Sequence, residues 1–400
     1  MKNAGDPIGV GVHRATGDAA RIHSASTRLT ITKETTMQSF DVTEWGKPLQ
    51  SALRATPTPV GTEVLVRIKY CGVCHSDVHI RDGYFDLGGG KKFFMSERGM
   101  TLPVTLGHEP FGTVIAAGPE AKDVPIGQDR LVFPWTGCST CVRCLEGMDN
   151  HCMAPRFLGV QRPGGYADHL IVPHPRYLVD ATGVDPVWAA TLACSGLTTY
   201  SAAVKLLPIP KDEWVLVLGA GGLGLSAVAM LRALGHERIV VADLDSNKFA
   251  AARAAGAAAT VNAGAADAMD QVKAATGGMI YGAIDLVGAA ATFQLAYACL
   301  RKGGRYIVSG LYGGEVPISI VPTVQRAIMI QGSYVGSPQE LREVVALAKA
   351  GKLKALPVEK RPAVRISETL DQLKAGTLIG RVVADMAVMD LRQTTPLGSP

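Results

Sequence analysis

The stretch Val215-Leu-Val-Leu-Gly-Ala-Gly-Gly-Leu-Gly224 joins a short apolar run to a glycine-rich turn, and residues 223–234 follow it with helical periodicity. Between a strand and a helix, the first glycine permits a tight turn. The second lets the backbone approach a pyrophosphate, and the last lets helix and strand pack closely. The helix N-terminus adds free N–H groups for phosphate oxygens. The stretch therefore predicts a dinucleotide-binding turn with cofactor contacts at Gly219, Gly221, Gly222, Leu223 and Gly224.

A carboxylate at the end of the next predicted strand indicates which dinucleotide is bound. Asp243 follows Gly224 by 19 residues, where it can accept hydrogen bonds from both hydroxyls of the adenosine ribose. The same charge would repel a 2′-phosphate, so the sequence favours NAD over NADP. Lys248 is expected beside the adenosine. The alternative for Asp243 is that it serves only as a solvated helix cap.

From Trp214 onward, strands and helices alternate along the chain. Alternation of this kind predicts a parallel sheet with helices on both faces, a doubly wound Rossmann arrangement. The predicted strands of this sheet are residues 215–218, 238–242, 283–287 and 305–309, and its predicted helices are residues 223–234 and 248–255; a further helix at 339–350 is predicted in the final segment, which completes the first domain.

The sequence before this region has a different pattern. Short β-type runs at residues 63–69, 112–117 and 129–133 are broken by Gly and Pro, which is typical of a partly open β-barrel. Strand-like pieces after about residue 336 would complete that barrel and make its domain discontinuous. Residues 1–36 have no persistent periodicity and are interpreted as a disordered extension.

Composition excludes several classes of function. The 400 residues are 47% hydrophobic and 19% charged with a net charge of +5, and no dense Lys/Arg run indicates a nucleic-acid partner. The apolar run 214–231 holds four glycines and is better explained as strand, turn and helix than as a membrane span. Eight cysteines without a secretory signal indicate a reducing, cytoplasmic location.

Four cysteines are spaced by three, three and eight residues within a single short loop. Thiolates this close can converge on one tetrahedral ion, and four sulfur ligands suit a structural zinc with no open position. The alternative is a disulfide or redox motif. The predicted structural zinc ligands are Cys138, Cys141, Cys144 and Cys152.

Three more candidate ligands lie in separate segments. Cys74 follows a predicted strand, His108 stands in Gly107-His-Glu109, and Cys194 precedes the dinucleotide region. Two thiolates and one imidazole would leave the fourth zinc position open, as catalysis requires.

With both cysteine patterns, the glycine turn and their order along the chain, the sequence resembles the zinc-dependent alcohol dehydrogenases of the medium-chain dehydrogenase/reductase superfamily from Met37 to about Met386. The resemblance implies an α/β fold with a discontinuous, GroES-like catalytic domain at 37–194 and 337–400. It further implies a structural-zinc lobe at 135–155 and a Rossmann NAD-binding domain at 195–336. Two zinc ions and NAD are the implied cofactors, and a homodimer or homotetramer is the implied assembly.

The resemblance also implies residue roles. Cys74, His108 and Cys194 would hold the catalytic zinc, Asp77 would orient His108, and Glu109 would be a transient ligand. Ser76 would take the alcohol proton and pass it toward His79. The further cofactor contacts implied are His75, Thr198, Val287 and Arg381, and the implied substrate-pocket residues are Trp135, Phe157 and Leu158.

One segment departs from the family pattern. Cys74 and His108 are 34 residues apart, and the extra stretch 81–100 carries three consecutive glycines and four cationic side chains. It is either a lid whose Lys91, Lys92 or Arg98 attracts a substrate carboxylate, or a surface excursion or subunit contact. Its character resembles bacterial enzymes of the 6-hydroxyhexanoate dehydrogenase type.

The predicted reaction is oxidation of a primary alcohol to the aldehyde with hydride transfer to NAD, and the reverse. The substrate would be a medium-chain or aryl alcohol or an ω-hydroxy acid. One alternative is an NADP-preferring aldehyde reductase of the cinnamyl-alcohol type, against which Asp243 argues. Another is a non-catalytic nucleotide-binding relative, although all the ligand and relay residues are present.

Overall fold

The computed structural model describes residues 36–389, so the predicted N-terminal extension lies outside the described residues except for Thr36. The strands are β1 (Thr36–Val42), β2 (Gln50–Ala55), β3 (Val64–Val73), β4 (Tyr84–Gly88), β5 (Lys91–Phe94), β6 (Val104–Thr105), β7 (Pro110–Ala117), β8 (Asp129–Val132), β9 (His169–Val172), β10 (Leu178–Val179), β11 (Val215–Leu218), β12 (Ile239–Asp243), β13 (Ala259–Asn262), β14 (Ile280–Asp285), β15 (Leu300–Val308), β16 (Met329–Gly332), β17 (Val358–Pro362) and β18 (Arg381–Asp385). The helices are α1 (His75–Asp82), α2 (Val142–Leu145), α3 (Pro186–Thr191), α4 (Leu197–Val204), α5 (Gly222–Ala233), α6 (Phe249–Ala255), α7 (Ala268–Thr276), α8 (Ala290–Cys299), α9 (Ile320–Gln325), α10 (Pro338–Lys349) and α11 (Ile366–Lys374).

Six parallel strands form the predicted doubly wound sheet, in the order β13-β12-β11-β14-β15-β16. The central strand β11 is buried at all four positions, as an apolar run covered on both faces should be. Helix α5 begins at Gly222, within the glycine turn and one residue before the predicted start. The prediction of a Rossmann sheet is confirmed.

Two strands of this sheet have no counterpart in the sequence prediction. Strand β13 pairs with β12, and β16 forms the opposite edge beside β15. All four residues of β16 are exposed, so it lacks the pattern of a buried parallel strand. It is a strand because it pairs with β15, which is distant in sequence, so no local pattern predicts it.

The segment before the Rossmann sheet and the C-terminal segment share one seven-stranded sheet, in the order β10-β8-β7-β3-β18-β17 with β9 also on β3. Strand β18 runs antiparallel to the second half of β3, with Val382 opposite Val73 and Ala384 opposite Cys71. The discontinuous, partly open barrel predicted from the sequence is confirmed. This pairing brings the C-terminal segment beside the strand that leads into Cys74.

Short helical elements carry the chain between the two sheets. Helix α1 begins immediately after β3 with Cys74 as its N-cap. Between α3 and α4 the chain makes a π-helical turn, Leu192–Gly196, whose residues are all buried. Such turns are frequent at functional sites, and this one contains Cys194.

Within residues 36–389, no helix is both long enough and apolar enough to cross a membrane. The longest helices, α5 and α10, have 12 residues each. The apolar run at 214–231 is divided between β11, the glycine turn and α5, as predicted.

Candidate active site and metal centres

The four clustered cysteines converge as their spacing predicts. The distances between sulfur atoms are 3.6 Å for Cys141–Cys144, 3.8 Å for Cys141–Cys152 and 4.0 Å for Cys138–Cys144. A zinc ion with bonds of about 2.3 Å to four sulfurs would set them about 3.8 Å apart. The lobe therefore fits one tetrahedral metal ion.

The environment of the lobe lowers the pKa of one cysteine thiol and raises the pKa of another. Hydrogen bonds from Thr140 and Cys141 lower the pKa of the Cys138 thiol to about 5. Burial raises the pKa of Cys144 to about 12. Four thiolates at one point need a cation to balance their charge, and a bound metal ion deprotonates its cysteine ligands.

Hydrogen bonds fasten the lobe to the body of the protein. The buried Asp149 accepts bonds from Tyr177 Oη and Arg176 Nη2, both at 2.6 Å. Asn150 Nδ2 donates to the carbonyl oxygen of Tyr334 at 3.0 Å. Tyr334 lies two residues after β16, so this bond connects the lobe to the segment that leaves the Rossmann sheet.

A second cluster forms where α1, the loop before β7 and the π-helical turn meet. The sulfur atoms of Cys74 and Cys194 are 3.9 Å apart. These two sulfurs, a His108 nitrogen and a Glu109 oxygen all lie within 4.8 Å of one another, and all four residues are buried. The neighbouring Cys194 thiol lowers the pKa of Cys74, which favours a thiolate there. The two sulfurs and the imidazole nitrogen fit a zinc ion with an open coordination position.

Asp77 orients the imidazole of this cluster. His108 Nδ1 lies 3.0 Å from Asp77 Oδ1, and both side chains are fully buried. The same carboxylate accepts bonds from Tyr166 Oη at 2.7 Å and from the Cys74 backbone N–H at 3.1 Å. His108 Nε2 is buried and has no hydrogen-bond partner among the described residues. A buried nitrogen left free in this way is what a metal ligand requires.

Glu109 is held by a cation from the C-terminal segment. Arg381 Nη2 donates to both Glu109 oxygens at 2.5 Å. Burial raises the pKa of Glu109 to about 7, although the Arg381 charge opposes that rise. Gly72 makes room for this pair, because a Cβ atom there would stand 1.7 Å from Glu109 Oε2.

The glycine turn lines a cleft of about 290 Å³. Gly219 has φ of +97°, and a Cβ atom on Gly224 would stand 1.9 Å from the Gly219 carbonyl oxygen, so the turn requires both glycines. A Cβ atom on Gly221 would have no heavy atom within 4 Å. The open side of the turn therefore fits the approach of a pyrophosphate.

Most of the residues predicted to contact the cofactor line this cleft. They are His75, Gly219, Gly221, Gly222, Leu223, Gly224, Asp243, Lys248, Val287 and Arg381. At the end of β12, Asp243 accepts bonds from the N–H groups of Ala220 at 2.6 Å and Asp245 at 2.9 Å. Lys248 Nζ lies 3.9 Å from the same carboxylate.

A second cavity of about 420 Å³ meets this cleft at Cys74 and Ser76, which line both. Thr198 lines the second cavity, and its buried hydroxyl has no hydrogen-bond partner among the described residues. His108 and Cys194 also line the second cavity. The candidate metal cluster therefore stands at the junction of two cavities, one of which fits a dinucleotide.

Of the three predicted substrate-pocket residues, only Trp135 lines the second cavity. Phe157 packs edge-on against Trp135 with ring centroids 5.4 Å apart. Phe157 and Leu158 are both fully buried and neither is among the lining residues, so only Phe157, through Trp135, supports the wall from behind. The sequence does not separate these roles, because all three side chains are large, apolar and buried.

Several residues of the cavity wall were not predicted from the sequence. Ser309 follows β15 and Ser333 follows β16, and both have buried hydroxyls without partners among the described residues. They line the second cavity together with Tyr334. The position of Ser309 at the carboxyl end of a predicted strand was a usable signal, because ligands bind at that edge of such sheets, whereas Ser333 follows a strand that the sequence does not predict.

The residues predicted to move the proton lie on one helix. Ser76 and His79 are three positions apart on α1 and therefore share a face. Ser76 lines both cavities, whereas His79 lines only the dinucleotide cleft. Burial and the nearby His75 lower the pKa of His79, which favours a neutral imidazole able to accept a proton.

The extra stretch 81–100 forms a hairpin at the rim of the second cavity. Strands β4 and β5 pair antiparallel, and Phe85, Asp86, Leu87, Phe93 and Arg98 line the cavity. Lys91 and Lys92 are exposed and are not among the lining residues. Lys92 Nζ instead lies 3.8 Å from the centroid of the Tyr84 ring.

Comparison with known proteins gives consistent similarities. Residues 61–182 match the family described as alcohol dehydrogenase GroES-like domain, and residues 222–350 match the family described as zinc-binding dehydrogenase. The chain is 34% identical over 348 residues to an NAD-dependent alcohol dehydrogenase of Sulfurisphaera tokodaii, covering 87% of this chain and 99% of that protein. It is equally identical, with the same coverage, to an NAD-dependent alcohol dehydrogenase of Saccharolobus solfataricus.

Solved structures agree with these similarities. The alcohol dehydrogenase of Aeropyrum pernix superposes with a TM-score of 0.78 at 30% identity, covering 87% of this chain and 99% of that one. An acetophenone reductase of Geotrichum candidum, solved in complex with NAD, superposes with a TM-score of 0.77 at 28% identity. The shared region covers 90% of this chain and 99% of the reductase.

The cysteine lobe provides a test that needs no enzyme assay. We expect Cys138→Ser to lower the zinc content from two ions to one per chain and to reduce the thermal midpoint, because one ligand of a closed site is lost. Zinc content would be measured by mass spectrometry of metals and stability by calorimetry. Cys299→Ser, at a buried cysteine outside both clusters, is the matched control and should retain both ions. Full zinc content in Cys138→Ser would contradict a structural metal site.

Proposed function

The chain belongs to the zinc-dependent alcohol dehydrogenases of the medium-chain dehydrogenase/reductase superfamily, and we propose that it interconverts primary alcohols and aldehydes. The relatives that it matches are NAD-dependent alcohol dehydrogenases. The observation that carries this proposal is the position of the candidate metal cluster. Cys74, His108 and Cys194 converge where the dinucleotide cleft meets the second cavity. A hydroxyl bound there would face both a metal ion and a hydride acceptor.

We propose that Cys74, His108 and Cys194 hold the catalytic zinc ion. When bound, zinc supplies a Lewis acid that lowers the pKa of a substrate hydroxyl, and the nicotinamide of NAD accepts the hydride. The protein's contribution is orientation and charge. Asp77 fixes the ring of His108 so that Nε2 faces the metal position, while Arg381 neutralises Glu109 beside it.

Ser76 and His79 would remove the proton. Ser76 stands at the junction of the two cavities, so its hydroxyl can accept the proton of the substrate and give up its own along the dinucleotide cleft. His79 lies farther along that cleft and is half-buried, so it can accept the proton and release it to water. Apolar walls on the second cavity exclude water from the reacting atoms, which strengthens every electrostatic contact there.

Removal of the Ser76 hydroxyl tests this role. We expect Ser76→Ala to lower kcat for hexan-1-ol with NAD by about 100-fold, because positioned proton acceptors contribute factors of that order. Zinc content should be unchanged, since Ser76 is no member of either metal cluster. Ser96→Ala, an exposed serine on the hairpin, is the control. Normal turnover in Ser76→Ala would refute the proton-transfer assignment.

Asp243 would select NAD, and its replacement tests that choice. We expect Asp243→Ala to reduce the ratio of kcat/KM for NAD over NADP by about 10- to 100-fold, because a charge-assisted hydrogen bond to the ribose is lost and repulsion of a 2′-phosphate ends. Asp245→Ala is the matched control, since Asp245 does not line the cleft. If Asp243→Ala lost stability but kept the wild-type ratio, Asp243 would be only a backbone cap.

The edge of the Rossmann sheet supports the proposed homo-oligomer. Strand β16 leaves one edge unpaired within the described residues, and all four of its residues are exposed. Just before it in the chain, α9 buries none of its residues. The exposed apolar side chains of this face are Ile320, Val321, Val324, Met329 and Ile330. An open edge combined with an apolar patch favours pairing with a second copy of the chain.

A charge on this face tests the assembly. We expect wild-type protein to sediment as a dimer or tetramer and Val324→Asp to sediment as a smaller species, because an unpaired carboxylate would be buried in the interface. Leu53→Asp is the control, since Leu53 is similarly exposed on β2, in a different sheet. A wild-type monomer, or an unchanged mass for Val324→Asp, would contradict the proposed interface.

We also propose a cytoplasmic location. All eight cysteines lie within residues 36–389 and all are free thiols. Six of the eight belong to the two candidate metal clusters, and oxidising conditions would compete with zinc for these thiols.

A further inference from the structure

A fully buried carboxylate ends strand β14 of the Rossmann sheet. Asp285 Oδ1 accepts hydrogen bonds from the backbone N–H groups of Val287 at 2.9 Å and Gly288 at 2.8 Å. Its Oδ2 accepts bonds from the hydroxyls of Thr292 at 2.7 Å and Tyr306 at 2.6 Å. Both carboxylate oxygens are therefore satisfied, as burial of a charged group requires.

The same residue fixes two turns, one after β14 and one after β15. The Asp285 carbonyl oxygen accepts bonds from Ser309 N at 2.9 Å and Gly310 N at 3.0 Å. The two turns also touch each other. A Cβ atom on Gly310 would stand 2.1 Å from the Val287 carbonyl carbon, and one on Gly288 would stand 2.1 Å from the Gly310 carbonyl oxygen. A change in the first turn would therefore disturb the second.

These turns form part of the junction between the two cavities. Ser309 and Gly310 line both the dinucleotide cleft and the second cavity, as Cys74 and Ser76 do. Val287 lines the dinucleotide cleft. The candidate metal cluster stands at this junction, so the two turns face the place where a hydride would be transferred.

The direction of the dinucleotide follows from the rest of the cleft. Asp243, the expected partner of the adenosine ribose, lines the cleft and does not line the second cavity. Gly219 and Gly221, where a pyrophosphate is expected, also line only the cleft. The nicotinamide is the part of NAD that remains for the junction.

We propose that Asp285 is a positioning residue that orders the turns at 286–288 and 309–310 as the binding surface for the nicotinamide of NAD. The inference rests on the proposed function, since it concerns the same cofactor. Asp285 lines neither cavity, so it acts through the backbone that it holds. Without its side chain, two backbone N–H groups would lose their acceptor and the first turn would rearrange. A surface that is ordered before binding spares the cost of ordering it on binding.

Two substitutions of Asp285 separate hydrogen bonding from the negative charge. Asp285→Ala removes the acceptor of the Val287 and Gly288 N–H groups. Asp285→Asn keeps an oxygen for these N–H groups and turns its amide toward the two hydroxyls. The hydroxyls of Thr292 and Tyr306 can accept a bond as well as donate one, so the asparagine can satisfy all four partners. Positioning through hydrogen bonds therefore predicts a defect in the alanine variant and rescue in the asparagine variant.

The readout is calorimetric binding of NADH and of ADP-ribose, which has no nicotinamide. We expect wild-type protein to bind NADH more tightly than ADP-ribose. Asp285→Ala should weaken NADH binding by about 10-fold and leave ADP-ribose binding within about twofold, because only the nicotinamide surface is disturbed. Asp285→Asn should bind both compounds within about threefold of wild type. The KM for NAD should rise in Asp285→Ala in parallel with the loss of NADH affinity.

Asp149→Ala is the matched control for lost stability. Asp149 is likewise buried and accepts a bond from a tyrosine hydroxyl, but it lines neither cavity. This variant should lower the thermal midpoint and leave the affinities for NADH and ADP-ribose unchanged.

Hydrogen exchange on the wild type gives a second measurement that does not depend on the folding of a variant. The amides of Val287 and Gly288 should be protected to a similar degree with and without NADH, because Asp285 already holds them. Fast exchange of these amides in the absence of NADH would contradict a surface ordered before binding.

The binding data can overturn the proposal in several ways. These are equal weakening of NADH and ADP-ribose in Asp285→Ala, wild-type NADH affinity in that variant, or an asparagine variant as defective as the alanine variant. A loss of NADH binding in Asp149→Ala as large as that in Asp285→Ala would likewise overturn it, since the effect would be general. The proposed function fails separately: wild-type protein would then bind NADH but oxidise no alcohol, and the comparison with ADP-ribose would still decide the role of Asp285.

Discussion

The buried carboxylate of Asp77 is the constraint on which the site depends. A carboxylate with no exposure to water must have its oxygens hydrogen-bonded, because an unpaired buried charge is very costly. Asp77 obtains its donors from Tyr166, His108 and the N-terminus of its own helix at Cys74. These donors belong to three separate segments of the chain, so satisfying one carboxylate also fixes the relative positions of two candidate metal ligands.

The remaining parts of the site follow from where the two sheets meet. Strand β18 pairs with β3, which sets Arg381 beside both Glu109 and the glycine turn. The carboxyl ends of the parallel strands meet the same region, where ligands of doubly wound sheets bind. A dinucleotide cleft and a second cavity therefore share one wall at Cys74 and Ser76. In this arrangement a metal ion, a hydride acceptor and a proton acceptor can all reach a single hydroxyl.

The hairpin gives the second cavity an electrostatic character that the family site alone does not determine. Its backbone is fixed at both ends, by the buried methionines beside Arg98 and by the close glycine contacts at Gly88 and Gly313. The backbone that carries Arg98 is therefore already ordered, and a contact made there would not require a loop to become ordered. The other hairpin cations point elsewhere, and Lys92 lies over Tyr84. Charge count alone would have treated all of them alike.

The sequence by itself determined the features that depend on local spacing. The cysteine lobe, the glycine turn, β11 and α5 each lie within a few residues of chain, so periodicity and ligand spacing specify them directly. The candidate metal cluster joins Cys74 and Cys194 across 120 residues, and the sequence offered them only as separate candidate ligands that the family resemblance assigned to one ion. The tertiary structure alone decided that Phe157 lies behind Trp135 and that Arg98 meets Tyr334, 236 residues away. The physical reason is that such contacts depend on how side chains pack between distant segments, and no local pattern records that packing.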